Sequence, residues 1–198
     1  DICTAYIAYY DNVLVLFSYL IACLAAYTAW TMASLYRAEN HRYKKVLWMF
    51  GGGLVMGCGI WAMHFVAMLA YRLPIAVSYD LSITLLSMLP AIIASIIAIS
   101  VIGQAKLTAR HFIFGSVLFG IGIGSMHYVG MAAMRMNALM IYDPLIFAIS
   151  LVVAIALAFV SLKLKFITEQ FSSHQYYQSI KNCSILIMGT AVSGMHYT

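Results

Sequence analysis

Apolar and polar positions alternate on a coarse scale, giving six long apolar runs near residues 12–36, 46–71, 81–102, 112–136, 144–164 and 181–198, joined by short polar stretches. A hydrocarbon core roughly 30 Å thick is crossed by about 20 helical residues, so each run can supply one transmembrane helix. In lipid a spanning backbone must satisfy its own hydrogen bonds, and runs of this length are too long for barrel strands. The pattern predicts an all-α, polytopic transmembrane helical bundle of six spans. The first run lacks a basic start and a cleavage site, and more spans follow it, so it is not a signal peptide.

Two marks recur in register with the runs. Met63-His64-Phe65 and Met126-His127-Tyr128 open ten-residue segments that align without a gap, through to Arg72 and Arg135, and Met195-His196-Tyr197-Thr198 is a third copy. Tyr10-Asp11, Tyr79-Asp80 and Tyr142-Asp143 each precede an odd-numbered run, and the Asp-to-His separations are 53, 47 and 53 residues. The chain thus reads as one membrane domain over 1–198, built from three pseudo-repeated two-helix units at about 10–72, 79–135 and 142–198. Each Asp suits the cap of a helix start, where a carboxylate meets free amides and the positive end of the dipole. Pro144 fits the first turn of such a helix. Asp80 and Asp143 are also candidates for a polar role around the motif site.

Composition agrees: 64% of the 198 residues are hydrophobic and 9% charged, with mean hydropathy +0.94. This is far from the usual soluble mixture of about half apolar and a quarter charged residues. Nine of the eleven Lys and Arg, namely Arg37, Arg42, Lys44, Lys45, Lys106, Arg110, Lys163, Lys165 and Lys181, fall in the connections after the first, third and fifth runs. The positive-inside rule puts those connections in the cytoplasm, with the amino terminus and the motif ends outside. The net charge of +5 is then a topology signal rather than a nucleic-acid surface. With charges expected only at the ends of the runs, ion-coupled transport and hydrolytic chemistry lack the intramembrane acids and bases they need. His41, His111 and His174 lie in the basic connections, away from the motif histidines. Cys3, Cys23, Cys58 and Cys183 show no C-x-x-C spacing and read as packing residues. Six spans would return the chain to the outside, so a cytoplasmic output domain is expected to follow a further span.

His64 and Met68 stand four apart, as do His127 and Met131, so each imidazole and thioether share a helix face. His64 precedes Tyr71 by seven residues, roughly 10 Å below the end of its helix at about 1.5 Å per residue. Gathering three such helices would place His64, His127 and His196 with Met63, Met68, Met126, Met131 and Met195 in one shell. The even runs are glycine-dense and are expected to form a close inner cluster, since small residues let membrane helices approach. Imidazole with thioether is a soft to borderline donor set that suits copper, especially Cu(I), over magnesium or calcium. A three-histidine zinc site is the alternative ion, and haem held by His127 with another His or a Met the alternative cofactor. The hydroxyls of Tyr128 and Tyr197 are candidates for fixing the adjacent imidazole, a role closed to Phe65.

At these residues the chain resembles the MHYT family of bacterial integral-membrane sensor domains, named for the tetrapeptide that stands here at 195–198. The resemblance covers nearly the whole chain, with Phe65-Val66 and Val129 departing from the tetrapeptide in the first two copies. It implies copper ligation through Met63, His64, Met126, His127, Met195 and His196. It further implies sensing of oxygen, carbon monoxide or nitric oxide in the bacterial inner membrane, and a cytoplasmic output domain in cis that makes or degrades cyclic di-GMP. The expected function is sensory and this segment is not itself an enzyme. A transporter or channel, or a membrane redox protein holding haem or metal, is the alternative. The expected partners are the lipid bilayer, a diatomic gas and the output domain, with a homodimer also compatible.

Overall fold

The computed structural model describes residues 9–104, 108–136, 144–171, 173 and 175–197, with Met195 described by its backbone alone. Helices α1 (Asn12–Ala38), α2 (Arg42–Ala70), α3 (Leu81–Leu86), α4 (Met88–Ile102), α5 (Ala109–Ala132), α6 (Pro144–Gln170) and α7 (Tyr177–Tyr197) carry the fold. The third run is one span bent at Ser87, which caps α3 and opens α4. Pro90 explains the bend: it has no N–H for the carbonyl of Leu86, four residues earlier, and its ring crowds that carbonyl. Counting α3 and α4 together, five helices among the described residues are long and apolar enough to cross a membrane. The more polar α7 opens with Tyr177, Gln178, Ser179, Lys181 and Asn182 and is held by its neighbours α1 and α6.

With α3 and α4 taken as one span, each helix packs on the next in chain order, and α7 closes the ring onto α1. The closure depends on a repeated contact. Gly57, Gly120 and Gly189 each stand seven residues before a motif histidine, and each faces the residue twelve after the Tyr-Asp aspartate position: Ile92, Ile155 and Cys23. A Cβ at these glycines would come within 2.5 Å of Ile92 Cα, 2.7 Å of Ile155 Cα and 3.1 Å of Cys23 Cα. Glycine lets the backbones meet at all three, α2 on α4, α5 on α6 and α7 on α1, and the fit is tightest at Gly57 and Gly120. The helices of the first, third and fifth runs share the core. Ala22, Ala25 and Ala29 of α1, Ala91, Ala94 and Ala98 of α4, and Ala154 and Ala158 of α6 are buried in it.

Short antiparallel pairs close the motif end of the first two units. Strand β1 (Tyr9–Tyr10) pairs with β2 (Tyr71–Arg72), and β3 (Ser78–Tyr79) with β4 (Met134–Arg135). Asp11 accepts from the amides of Val13 and Leu14, and Asp80 from that of Ile83, as expected of caps. Their own amides donate to Ala70 and Ala133, both at 2.8 Å. Arg72 and Arg135 approach Asp11 at 3.7 Å and Asp80 at 3.0 Å. The Arg135 guanidinium holds the Asp80 carboxyl below the usual carboxylate range. These exposed pairs mark the helix ends more than they stabilise the fold. Asp143 lies outside the described residues.

At the other end the structure corrects the sequence reading. Lys163 and Lys165 lie inside α6 and Lys181 inside α7, not in a connection. Lys165, one residue past the fifth run, is buried at 1% exposure instead of lying in a solvated connection. Its ammonium pairs with Glu169 one turn on, donates to Ser34 Oγ at 2.9 Å and lies 4.3 Å from the centre of the Trp30 ring. Arg37 completes the cluster on Glu169 at 2.9 Å. Pairing and a π face are what make such burial tolerable.

Replacing Gly120 by Leu is expected to cost about 1–3 kcal/mol through overpacking against Ile155. At Gly51, where a Cβ meets nothing within 4 Å, alanine is expected to be neutral or mildly stabilising. Thermal unfolding midpoints in detergent check both, and an undisturbed Gly120→Leu protein would refute the close contact.

Candidate metal centre

Seven residues beyond the close glycine contacts, α2, α5 and α7 each present one motif histidine at the end of the bundle where the β pairs lie. His64, His127 and His196 converge: one ring nitrogen from each lies within 4.8 Å of the other two. His196 Nδ1 stands 3.2 Å from His64 Nδ1 and 3.3 Å from His127 Nδ1. The three rings stand edge to face, with centroids 4.9 to 5.1 Å apart. His64 has no exposed surface, and the other two are half-buried. His41 and His111 stand at helix starts, far along α2 and α5 from the motif histidines: His41 precedes α2, and His111 completes a capping box with Thr108 at the start of α5. His174 lies outside the described residues.

The donor geometry fits an ion. Two nitrogens each about 2.0–2.1 Å from a tetrahedral centre lie about 3.3 Å apart, which is the spacing of His196 Nδ1 to each of the other two here, while all three donors lie within 4.8 Å. Without an ion, a proton between two Nδ1 atoms serves one pair at a time. His64 Nε2 is buried with no hydrogen-bond partner among the described residues. It points at Gly130, where any Cβ would collide with it. The aligned position in the first motif copy is Ala67. The change to glycine is what lets the His64 ring enter the centre.

The aromatic residues after the histidines turn outward onto a second repeated mark. Tyr197 Oη meets Ser18 Oγ at 2.7 Å, and Tyr128 Oη meets Ser150 Oγ at 2.7 Å. In the first copy Phe65 has no hydroxyl; Trp61, 5.0 Å away ring to ring, donates its indole N–H to Ser87 Oγ at 3.1 Å. Each serine stands seven residues after a Tyr-Asp aspartate. Among the described residues the tyrosine hydroxyls thus meet serines of the next helix. Asp80 likewise spends one oxygen on Ile83 and the other on Arg135. Ser18, Ser87, Ser150, Trp61 and Gly130 were missed in the sequence, although the constant seven-residue spacing of the serines was there to be found.

Of the methionines, Met63 and Met126 are buried in the apolar core, Met68 is buried and Met131 half-buried. The Met195 side chain lies outside what is described. At the mouth of the site Tyr10 lies 5.4 Å from Tyr71 and 5.5 Å from Tyr197, ring to ring. Burial, with these neighbours, pushes the Tyr10 hydroxyl above its ordinary value.

A helical membrane bundle whose repeated Met-His segments bring three imidazoles together is the class that fold and site define. The chain belongs to the MHYT family, described as a bacterial signalling protein N-terminal repeat, which matches residues 57–115 and 120–176. It is 41% identical over 192 residues to the bifunctional diguanylate cyclase/cyclic di-GMP phosphodiesterase MucR of Pseudomonas aeruginosa, covering 97% of this chain and 28% of that protein. It is 39% identical over 190 residues to the cyclic di-GMP phosphodiesterase NbdA of the same species, covering 96% and 24%. To the signaling protein YkoW of Bacillus subtilis it is 36% identical over 191 residues, covering 96% and 23%. The chain thus spans about a quarter of the length of these relatives. No solved structure matches it. It is a signalling domain of a family linked to cyclic di-GMP turnover.

Substituting Gly130 by Val is expected to displace the His64 ring and lower stability by about 1–3 kcal/mol. A crystal structure of the variant with His64 unmoved, or an unchanged unfolding midpoint, would refute this. Tyr197→Phe, which loses the bond to Ser18, is expected to cost about 1 kcal/mol in the same unfolding assay.

Proposed function

We propose that this chain is a sensory membrane domain whose three motif histidines hold a copper ion. Through it the domain responds to a diatomic gas (oxygen, carbon monoxide or nitric oxide) or to redox state, and regulates a cytoplasmic output such as cyclic di-GMP turnover. The carrying observation is the convergence of His64, His127 and His196, with Nδ1 atoms 3.2 and 3.3 Å apart. Nitrogen donors close to a thioether-rich sequence favour copper among the ions the site could take. The assigned ligands are His64, His127 and His196, with Met63, Met126 and Met195 of the same motifs as thioether candidates and Met68 and Met131 as additional ones.

When bound, copper supplies a coordination position for a gas and a one-electron couple. The chain's own residues do the rest. The imidazoles offer lone pairs from three separate helices, so the distances between α2, α5 and α7 become sensitive to what the cluster holds. The Ser18, Ser87 and Ser150 contacts pass a shift of each of these helices to the next one in the ring. A ligand that favours one arrangement of the cluster thereby shifts the population of whole-bundle states. Haem fits less well, because a macrocycle between two of the imidazoles needs the space the third ring fills. The basic end, by the distribution of Lys and Arg, faces the cytoplasm of the bacterial inner membrane, and the motif end faces outward. The segment itself is read as non-enzymatic, its relatives' cyclase and phosphodiesterase activities belonging to attached domains.

Metal analysis of detergent-purified protein is expected to give near-stoichiometric copper that is lost when His64, His127 and His196 are all changed to Ala in a protein that still unfolds cooperatively. X-ray absorption should then report nitrogen scatterers near 2 Å, at the order of magnitude of known imidazole–metal bonds. Absence of copper after loading with Cu(I) and Cu(II) would overturn the reading.

A further inference from the structure

One helical turn beneath the three imidazoles stand Ile60, Ile123 and Val192, each four residues before a motif histidine. Under this aliphatic floor lie two interior voids of about 20 Å³ each. Both are lined by Phe119, Ser161 and Val192, so they adjoin. Ile60 borders one and Ile123 the other, which places the pair of voids directly below the histidine cluster. Alanines form much of the wall, Ala98 in one and Ala158 in the other among them, and both of these are buried.

A void of this size has room for one small molecule, since about 10–15 Å³ already admits a water. Water, however, needs two to four polar partners, and Ser161 brings the one side-chain hydroxyl of either wall. Such a space stays dry and takes a small apolar occupant. Leaving it empty forfeits contact energy that a leucine in place of an alanine could recover.

We infer that these voids form a holding site for a small uncharged molecule of the dioxygen, nitric oxide and carbon monoxide class, entering from the lipid and waiting one turn below the imidazoles. Its purpose, though not its occupancy, rests on the proposed reading of the histidines as a gas-responsive centre. The site takes its ligand from the apolar phase, where such molecules dissolve better than in water. Ile60, Ile123 and Val192 separate the waiting molecule from the cluster.

Xenon-pressurised crystals of the metal-free chain test occupancy. The expected result is an anomalous peak between Phe119, Ser161 and Val192, lost when Ala98→Leu and Ala158→Leu together fill both voids. Ala98→Gly, which enlarges one of them, keeps or strengthens the peak and stands in should the filled variant fail to fold. No interior xenon, xenon on lipid-facing surfaces alone, or ordered water in the voids would overturn the proposal. In the copper-loaded protein, the filled variant is expected to bind carbon monoxide several-fold more slowly than the unaltered chain. An unchanged rate would remove the holding role, whereas xenon binding without any copper uptake would leave the voids standing and remove the copper reading instead.

Discussion

Placing three imidazoles in contact inside a bundle demands more than any other feature of this chain. A buried ring nitrogen without a partner costs about 1–3 kcal/mol, and among the described residues His64 finds none for its Nε2 while its Nδ1 crowds that of His196. The arrangement persists because the helices bearing the histidines are held from outside the cluster. Gly57, Gly120 and Gly189 set how near each motif helix lies to its neighbour, and Gly130 clears the space the His64 ring occupies.

The three units are alike where they meet and differ where one site must be made from three copies. The glycine contact and the serine contact recur in all of them, always between a motif helix and the helix that follows it around the ring. In the first unit a tryptophan nitrogen from the preceding turn serves where phenylalanine offers no hydroxyl. The second copy has glycine where the first has alanine. Threefold pseudo-symmetry builds the frame, and these departures accommodate a centre in which one imidazole is fully buried and two are half-buried.

The two ends of the bundle are stabilised by different chemistry. At the motif end, aspartate caps, two-residue strand pairs and exposed ion pairs fix where the helices start and stop. At the basic end, Lys165 is drawn in against Trp30, Ser34 and Glu169, tying α6 to α1 by charge within the packed interior.

The helical bundle, its repeat, the caps and the identity of the three site histidines were determined by local properties: apolar run length, residue spacing and the type of residue that tolerates a helix start. These survive in one dimension because each depends on neighbours within a turn or two. What the tertiary structure decided depends on which helices touch. The closure of α7 onto α1 brought Tyr197 to Ser18 across the whole chain, and the approach of α5 to α2 gave Gly130 its reason. Burial of Lys165 followed from the Trp30 face and Glu169 being there to receive it, whereas a basic residue near the end of an apolar run reads as a solvated loop. Periodicity gives the face of a helix, not the partner that face will meet, so convergence of the three imidazoles had to wait for the packing.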